Sequence, residues 1–265
     1  MYIHDLNPIL INFSFFEIRW YSLAYIFGIV IGWWIAKRII EFKIKNGAIR
    51  LESKIFDDLI SYIIISIILG GRLGYIIFYN PSYYFDNPLD VFKIWQGGMS
   101  FHGALIGVIF GTYLFANKVK INSFFFLDVI ACVAPVGILF GRVANFINGE
   151  LYGKPSNFFW SVIFPKVDKI PRHPSQLYEA ALEGIMLFVI LISVYFKKET
   201  KTGVVSALFM ILYGFFRIVV EQFREPDIQI GYVFNLFSMG SVLSFFMILI
   251  GLFILKKATD NEFIK

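Results

Sequence analysis

Apolar runs close to twenty residues long, broken by short stretches rich in Lys, Asn, Pro or Gly, recur along the chain from Trp20 to Leu255. Crossing the roughly 30 Å hydrocarbon core of a bilayer takes about 20 apolar residues in an α-helix. The runs therefore predict seven spans, at about 20–40, 57–79, 99–117, 124–147, 175–196, 203–223 and 233–255. An odd number puts the two termini on opposite sides of the membrane. The longest connection, at about 148–174, holds Pro155, Pro165, Pro171 and Pro174 around the partly apolar "NFFWSVIF". A loop of that length is functional or packed on the membrane surface, and "FWSVIF" within it reads as a short strand or an interfacial segment. The expected fold is an all-α membrane protein. It is a single integral membrane domain over residues 1–265, a bundle of about seven transmembrane helices with a long outer-side loop between the fourth and fifth.

Composition strengthens this reading. The chain is 58% hydrophobic and 16% charged, with mean hydropathy +0.70, against roughly 45–50% apolar residues in a soluble domain. Its opening, "MYIHDLNPILINFSFFEIRW", lacks a basic leader and carries Asp5 and Glu17, so the first apolar run is expected to be a retained span rather than a cleaved signal. The single cysteine, Cys132, excludes an internal disulfide and a Cys-based metal cage. It is expected to be a small buried apolar residue. Charge then orients the spans. Lys37, Arg38, Lys43, Lys45, Arg50, Lys54, Lys118, Lys120, Lys197, Lys198, Lys201, Lys256, Lys257 and Lys265 fall on one side, and half as many cations on the other. The richer side is expected to be cytoplasmic, with the N-terminus outside and the C-terminus inside. The net charge of +5 then reflects topology and attraction to lipid surfaces, and calls for no nucleic-acid partner.

Three arginines, Arg72, Arg142 and Arg217, remain within spans once those of the loops and the cytoplasmic span ends are assigned. An arginine there costs about 2.5–3.5 kcal/mol on insertion scales, so it should face the bundle interior or an aqueous cavity and have a partner. All three lie in the outer halves of outward-running spans. His102 begins the third span, while His173, Gln176 and Glu179 begin the fifth, and Glu150 and Glu221 lie at the same level. Guanidinium presents a rigid fork of donors to phosphate or carboxylate, and the anions abundant at that depth are phospholipid headgroups. A phospholipid substrate follows. Each residue taken alone also fits a structural role: Arg72 paired to a carboxylate, Arg217 and Glu221 as an i,i+4 pair, Glu179 and Glu183 as polar faces.

Glycines 70, 71, 74, 97, 98, 103, 107 and 111 read mostly as close helix packing through small faces. Gly149 and Gly153, bracketing Glu150, are candidates for special backbone geometry. Trp20, Tyr21, Trp95 and Trp160 are expected to anchor at the interface. Tyr25 and Tyr213 sit within spans, where a phenol needs a partner and can bond a substrate or an arginine. No H-E-x-x-H or clustered His/Asp set suggests a metal, and no cofactor is expected.

The stretch "GRVANFINGELYG" at 141–153 meets every fixed position of G-R-x-[GA]-N-F-x-N-x-E-x-x-G, the signature of prolipoprotein diacylglyceryl transferases. "RWYSLAY" (19–25), "GGRLGY" (70–75), "GGMSFHGALIG" (97–107), "RHPSQLYE" (172–179) and "YGFFRIVVEQFREPD" (213–227) extend the resemblance in order over nearly the whole chain. The resemblance implies a seven-span enzyme of the bacterial inner membrane with no cofactor. Its donor is phosphatidylglycerol and its acceptor the lipobox cysteine of a preprolipoprotein; a thioether forms and glycerol phosphate leaves. By motif match, Arg142 and Arg217 are the key arginines, with Tyr25, His102, Asn145, Glu150, Gly153, Tyr213 and Glu221 around them; Arg72 joins the substrate-binding candidates. The family usually has two glycines after the histidine. Here Ala104 stands at the second, one residue short of the tight backbone approach expected beside His102.

That chemistry suits the residues. A thiol attacks best as thiolate, and a free thiol near pKa 8.5 is mostly protonated at pH 7, so a base is needed, with His102 the first candidate. Arginines on the phosphate would stabilise the charge that grows on the leaving group. Glu150 and Glu221 would orient the arginines, and Asn145 would bond a lipid oxygen. The alternative is a phospholipid-binding or lipid-transporting membrane protein without transferase activity. A transporter would need polar groups in both halves of the membrane, and the inner half here is nearly all apolar.

Overall fold

The computed structural model describes residues 2–13, 16–45, 54–93, 97–197, 200–225, 232–233 and 237–260. The side chains of Phe16, Phe78, Tyr79, Phe101, His102, Tyr232, Val233 and Phe237 also lie outside the description. Among the described residues, six helices are long and apolar enough to cross a membrane: α1 (Trp20–Lys45), α2 (Ile55–Tyr79), α5 (Ser123–Asn148), α6 (Ser175–Tyr195), α7 (Val204–Glu221) and α8 (Met239–Thr259). A seventh, α4 (Phe101–Val119), is apolar but shorter, and α3 (Pro81–Asp86) is a single short turn region after α2. The chain is an all-α membrane protein, and each predicted span has its helix. The last starts later than predicted. Ser238 caps it by accepting a bond from Ser241 N at 3.1 Å, while the residues before it form a strand pair, β6 (Tyr232–Val233) with β7 (Phe237–Ser238). Apolarity over so few residues does not separate strand from helix.

The chain forms two compact units, Met1–Ala36 with Asp128–Lys265, and Lys37–Leu127. In the second, α2 and α4 pack as a hairpin of glycine faces. A Cβ at Gly74 would lie 2.7 Å from Gly103 Cα, and one at Gly70 would lie 2.9 Å from Gly107 Cα, so only glycine permits this approach. Ala104 is outside that contact: a Cβ at Gly71 would meet its methyl at an ordinary 3.7 Å. The close approach is therefore made by Gly103 and Gly107, and the alanine is accommodated. Ser100 opens α4, its Oγ accepting from Gly103 N at 3.2 Å.

In the first unit, α1 meets α5 where Gly28 faces Gly137, and α6 meets α5 where Gly184 faces Leu139. Helix α7 packs along α8. Its start is held from another helix: the buried Asp128 of α5 accepts from Gly203 N at 2.7 Å, Ser206 N at 2.8 Å and Ser206 Oγ at 2.6 Å. Residues 180–186 of α6 are π-helical, a widening that often accompanies function. The loop after α5 contains two short strands, β4 (Val162–Ile163), within the predicted "FWSVIF", and β5 (Pro171–Arg172); β4 pairs with β5 and with β1 (Tyr2–Ile3). The residues ahead of the first span form β1 and a hairpin of β2 (Ile9–Phe13) with β3 (Phe16–Arg19) that leads into α1. His4 ties this segment to α5, with Nε2 2.7 Å from Phe146 O.

Candidate active site

The C-terminal ends of α5 and α7 and the N-terminal ends of α6 and α8 meet at one end of the first unit. The opposite end carries Lys201, whose Nζ donates to Thr259 O at 2.7 Å. At the meeting point, Glu179 and Glu183, both fully buried, sit one turn apart on α6. Arg142 Nε lies 3.1 Å from Glu179 Oε2, and Arg142 Nη2 lies 3.3 Å from Glu183 Oε2. From α7, Arg217 Nη1 donates to Glu179 Oε1 at 2.5 Å and Nη2 reaches Glu221 Oε1 at 2.6 Å. Arg224, just past α7, adds a third guanidinium, 3.3 Å from Glu179 Oε1 and 3.8 Å from Glu221 Oε1.

These three arginines and three glutamates balance in charge. Balance is what such burial demands, since an isolated buried ion is prohibitively costly and pairing offsets much of that cost. The pairing also fixes the guanidinium planes. Of the three side chains Arg142 is the most exposed, at 18% against 11% for Arg217 and 6% for Arg224, so it presents the accessible edge of the cluster. Close quarters extend to α8, where a Cβ at Gly240 would fall 2.6 Å from Glu221 Oε1.

Next to the cluster stands the signature segment. Asn145, one turn after Arg142, donates Nδ2–H to Glu150 Oε1 at 2.7 Å, and Asn148 Nδ2 reaches the same oxygen at 3.3 Å. The buried Gln176, a turn before Glu179, donates to Glu150 O at 2.6 Å. Gly149 turns the chain with φ +69°, a conformation glycine adopts without cost. Gly153 serves differently. Its N–H donates to His173 O at 2.9 Å, and a Cβ there would come within 2.5 Å of His173 O and 2.6 Å of Phe223 O. It threads between the start of α6 and the end of α7. Arg172 braces this junction, donating to Gly153 O at 3.1 Å and pairing with Asp168 at 2.6 Å. The Arg172 guanidinium holds the Asp168 carboxyl below the usual carboxylate range. Burial lowers the His173 pKa, favouring the neutral imidazole, and Tyr178 OH lies 3.0 Å from its Nδ1.

The structure thus brings together Arg142, Arg217 and Glu221, with Asn145, Glu150 and Gly153 beside them. Tyr213 is buried within electrostatic reach of Arg142 and Arg217. Tyr25, bonded to Tyr21 OH at 3.2 Å, lies within reach of Glu150 and Arg142. Arg72 belongs to the second unit and, among the described residues, pairs with no carboxylate within ion-pair distance. Its guanidinium donates to the carbonyls of Asp90 (2.6 Å), Val91 (2.9 Å), Lys93 (3.3 Å), Gly97 (2.5 Å) and Gly98 (3.3 Å), and it lies 5.1 Å from the Tyr84 ring. There it organises the connection that leads into α4. His102 is in the first turn of α4, and its side chain lies outside the described residues. From the sequence, Glu179 stood at the level of the polar groups with a polar face as its alternative, Glu183 was read only as a polar face, and Arg224 fell among the outer-side cations. The available signal was two glutamates at i,i+4 in an otherwise apolar span, since an intramembrane carboxylate needs a named partner as much as an arginine does.

Residues 8–256 match the family model described as prolipoprotein diacylglyceryl transferase. Proteins named phosphatidylglycerol–prolipoprotein diacylglyceryl transferase are similar over nearly the full length. That of Rickettsia felis is 49% identical over 253 residues, covering 95% of this chain and 96% of the relative. That of Rickettsia africae is 50% identical over 249 residues, covering 93% and 95%. That of Rickettsia bellii is 47% identical over 263 residues, covering 98% of each.

Proposed function

The chain belongs to the prolipoprotein diacylglyceryl transferase family, and from that premise we propose that its reaction takes place at the Arg142–Glu179–Arg217 cluster. The protein is a membrane transferase. It moves the diacylglyceryl group of phosphatidylglycerol to the lipobox cysteine of a preprolipoprotein, the first step of lipoprotein maturation. The cysteine sulfur attacks the glyceryl carbon that bears the phosphodiester. A C–S bond forms, the C–O bond to phosphate breaks, and glycerol phosphate leaves carrying one more negative charge.

The observation that carries the site assignment is the convergence of three arginines on one buried set of carboxylates beside Asn145 and Glu150. Arg142, with the most exposed guanidinium, meets the phosphate. Arg217 stands behind it, locked by Glu179 and Glu221. Donors held in place before the reaction stabilise charge growing on the leaving oxygen without reorganising, and one such donor is typically worth about 10²–10³ in rate. Asn145, oriented by Glu150, bonds a lipid oxygen. Tyr25 and Tyr213 are hydroxyls on the approach to the phosphate, Gly153 keeps the junction narrow, and His102 takes the thiol proton. The lysine-rich end of the first unit lies opposite the cluster, which supports a cytoplasmic C-terminus, an outer-facing site and residence in the bacterial inner membrane.

The test is direct. Purified protein is mixed with phosphatidylglycerol and a lipobox peptide, and peptide mass and released glycerol phosphate are followed. Wild type should add one diacylglyceryl mass per cysteine, and Arg142→Ala should lose turnover by 10²-fold or more. Full turnover in Arg142→Ala would remove the phosphate assignment. Lipid binding without any mass gain would favour the phospholipid-binding alternative.

A further inference from the structure

The loop between α5 and α6 presents an aromatic shelf that the transfer chemistry does not use. Phe159 is 83% exposed, Phe158 54% and Trp160 45%, although loops that face only water are normally polar. The shelf is built. Phe158 and Trp160 stack in parallel, with centroids 5.1 Å apart and planes 4° apart, and Phe159 packs edge-on to Trp160 at 4.5 Å. Trp160 Nε1–H donates to Tyr178 OH at 2.6 Å. Tyr178 lies in the first turn of α6, at 3.0 Å from His173 Nδ1, and Ser156 Oγ accepts from Phe158 N at 3.2 Å. The rings are thus fixed to the very start of a membrane-spanning helix, one residue from Glu179.

We propose that this shelf is a membrane-docking surface that seats the 154–173 loop on the bilayer's own anionic headgroup layer. Depth places it there: a ring cluster bonded to the first turn of a span stands at the level where Trp, Tyr and Phe favour the boundary between headgroups and acyl chains. Charge complements it. Lys166 and Lys169, in the same loop, are exposed, and lysines near the surface are attracted to anionic lipids. The indole N–H is already satisfied by Tyr178, so the rings can enter the apolar boundary without stranding a donor. Docking would hold the rim of the ion cluster at headgroup depth, where a lipid phosphate can reach Arg142 without leaving the membrane.

The test measures depth. Cys132 is fully buried and is replaced by alanine; Phe159→Cys carries a nitroxide label. The protein is reconstituted into phosphatidylcholine vesicles with and without phosphatidylglycerol, and collision rates with oxygen and with a water-soluble nickel chelate are compared. Labelled Leu249→Cys, on the exposed face of α8, is the bilayer reference, and free label in buffer the aqueous one. The 159 label should favour oxygen, between the two references and closer to Leu249→Cys. Lys166→Gln with Lys169→Gln should erase the added shift that phosphatidylglycerol produces. An aqueous signature in both vesicles would overturn the proposal. So would a label that is shielded only when a lipobox peptide is added, which would assign the shelf to the acceptor. If the label disturbs folding, the native Trp160 gives the same reading through quenching by brominated lipid tails, after Trp20, Trp33, Trp34 and Trp95 are replaced by phenylalanine.

Discussion

Glu179→Gln removes one charge from the centre of the cluster while nearly conserving shape. Glu179 has no exposed surface, and its two oxygens face Arg142 at 3.1 Å, Arg217 at 2.5 Å and Arg224 at 3.3 Å. Three guanidiniums would then face two carboxylates, leaving one buried positive charge uncompensated. Breaking a buried pair from one side costs about 3–5 kcal/mol. The amide keeps an acceptor oxygen, so the lower end, about 3 kcal/mol, is expected, with a fall in melting temperature on the order of 10 °C. Thermal unfolding in detergent, followed by the monodisperse fraction that survives heating, measures it. The decisive variant is the charge-balanced double, Glu179→Gln with Arg224→Gln. If uncompensated charge is the cause, the double should cost at least about 1 kcal/mol less than the sum of the two singles. Additive or worse-than-additive losses would refute the charge argument and leave shape alone as the reason for the residue.

Three further outcomes are expected. Gly153→Ala drives a methyl against the backbone oxygens of His173 and Phe223, which cannot yield as a side chain would; it should lower stability by about 1–3 kcal/mol, read by the same unfolding assay. Asp128→Ala strips three donors at the start of α7 of their acceptor and should cost about 1–2 kcal/mol, with phosphatidylglycerol binding unchanged. The Asp168 carboxyl is more acidic folded than unfolded because Arg172 pairs with it. Its contribution is therefore present above pH ~4 and is lost as pH falls through the folded value. The difference in melting temperature between wild type and Asp168→Asn, present at pH 7, should close on acidification; a gap that stays constant down to pH ~3 would contradict the linkage.

Much of the site was legible because polar residues are conspicuous in an apolar chain. Arg142 and Arg217 stood out by the cost of placing them in lipid, and Glu221 by its position one turn after Arg217. Gly149 and Gly153 stood out by position, but for different causes: a left-handed backbone at one and a close approach at the other. Glu183 and Arg224 were not legible as members of the cluster, because what makes them so is a set of contacts among three helices. Arg72 shows the same limit from the other direction. Its place within a span said that it needs partners, but not that they would be the backbone carbonyls of Asp90, Val91, Lys93, Gly97 and Gly98.

By itself the sequence determined the environment and the spans, since transfer of apolar surface into lipid depends on the length and composition of each run and very little on what lies beside it. It also determined that Arg142 and Arg217 needed partners, because desolvation penalises a charge wherever the chain folds. The tertiary structure decided which partners they received. Ion pairing falls off over a few ångströms, and only the packing of α5, α6 and α7 brings Arg142, Glu179, Glu183, Arg217 and Arg224 within that range. It decided as well that Tyr2 and Ile3 pair as a strand, since the neighbours that satisfy their backbone lie 160 positions away in β4, beyond the reach of any local pattern.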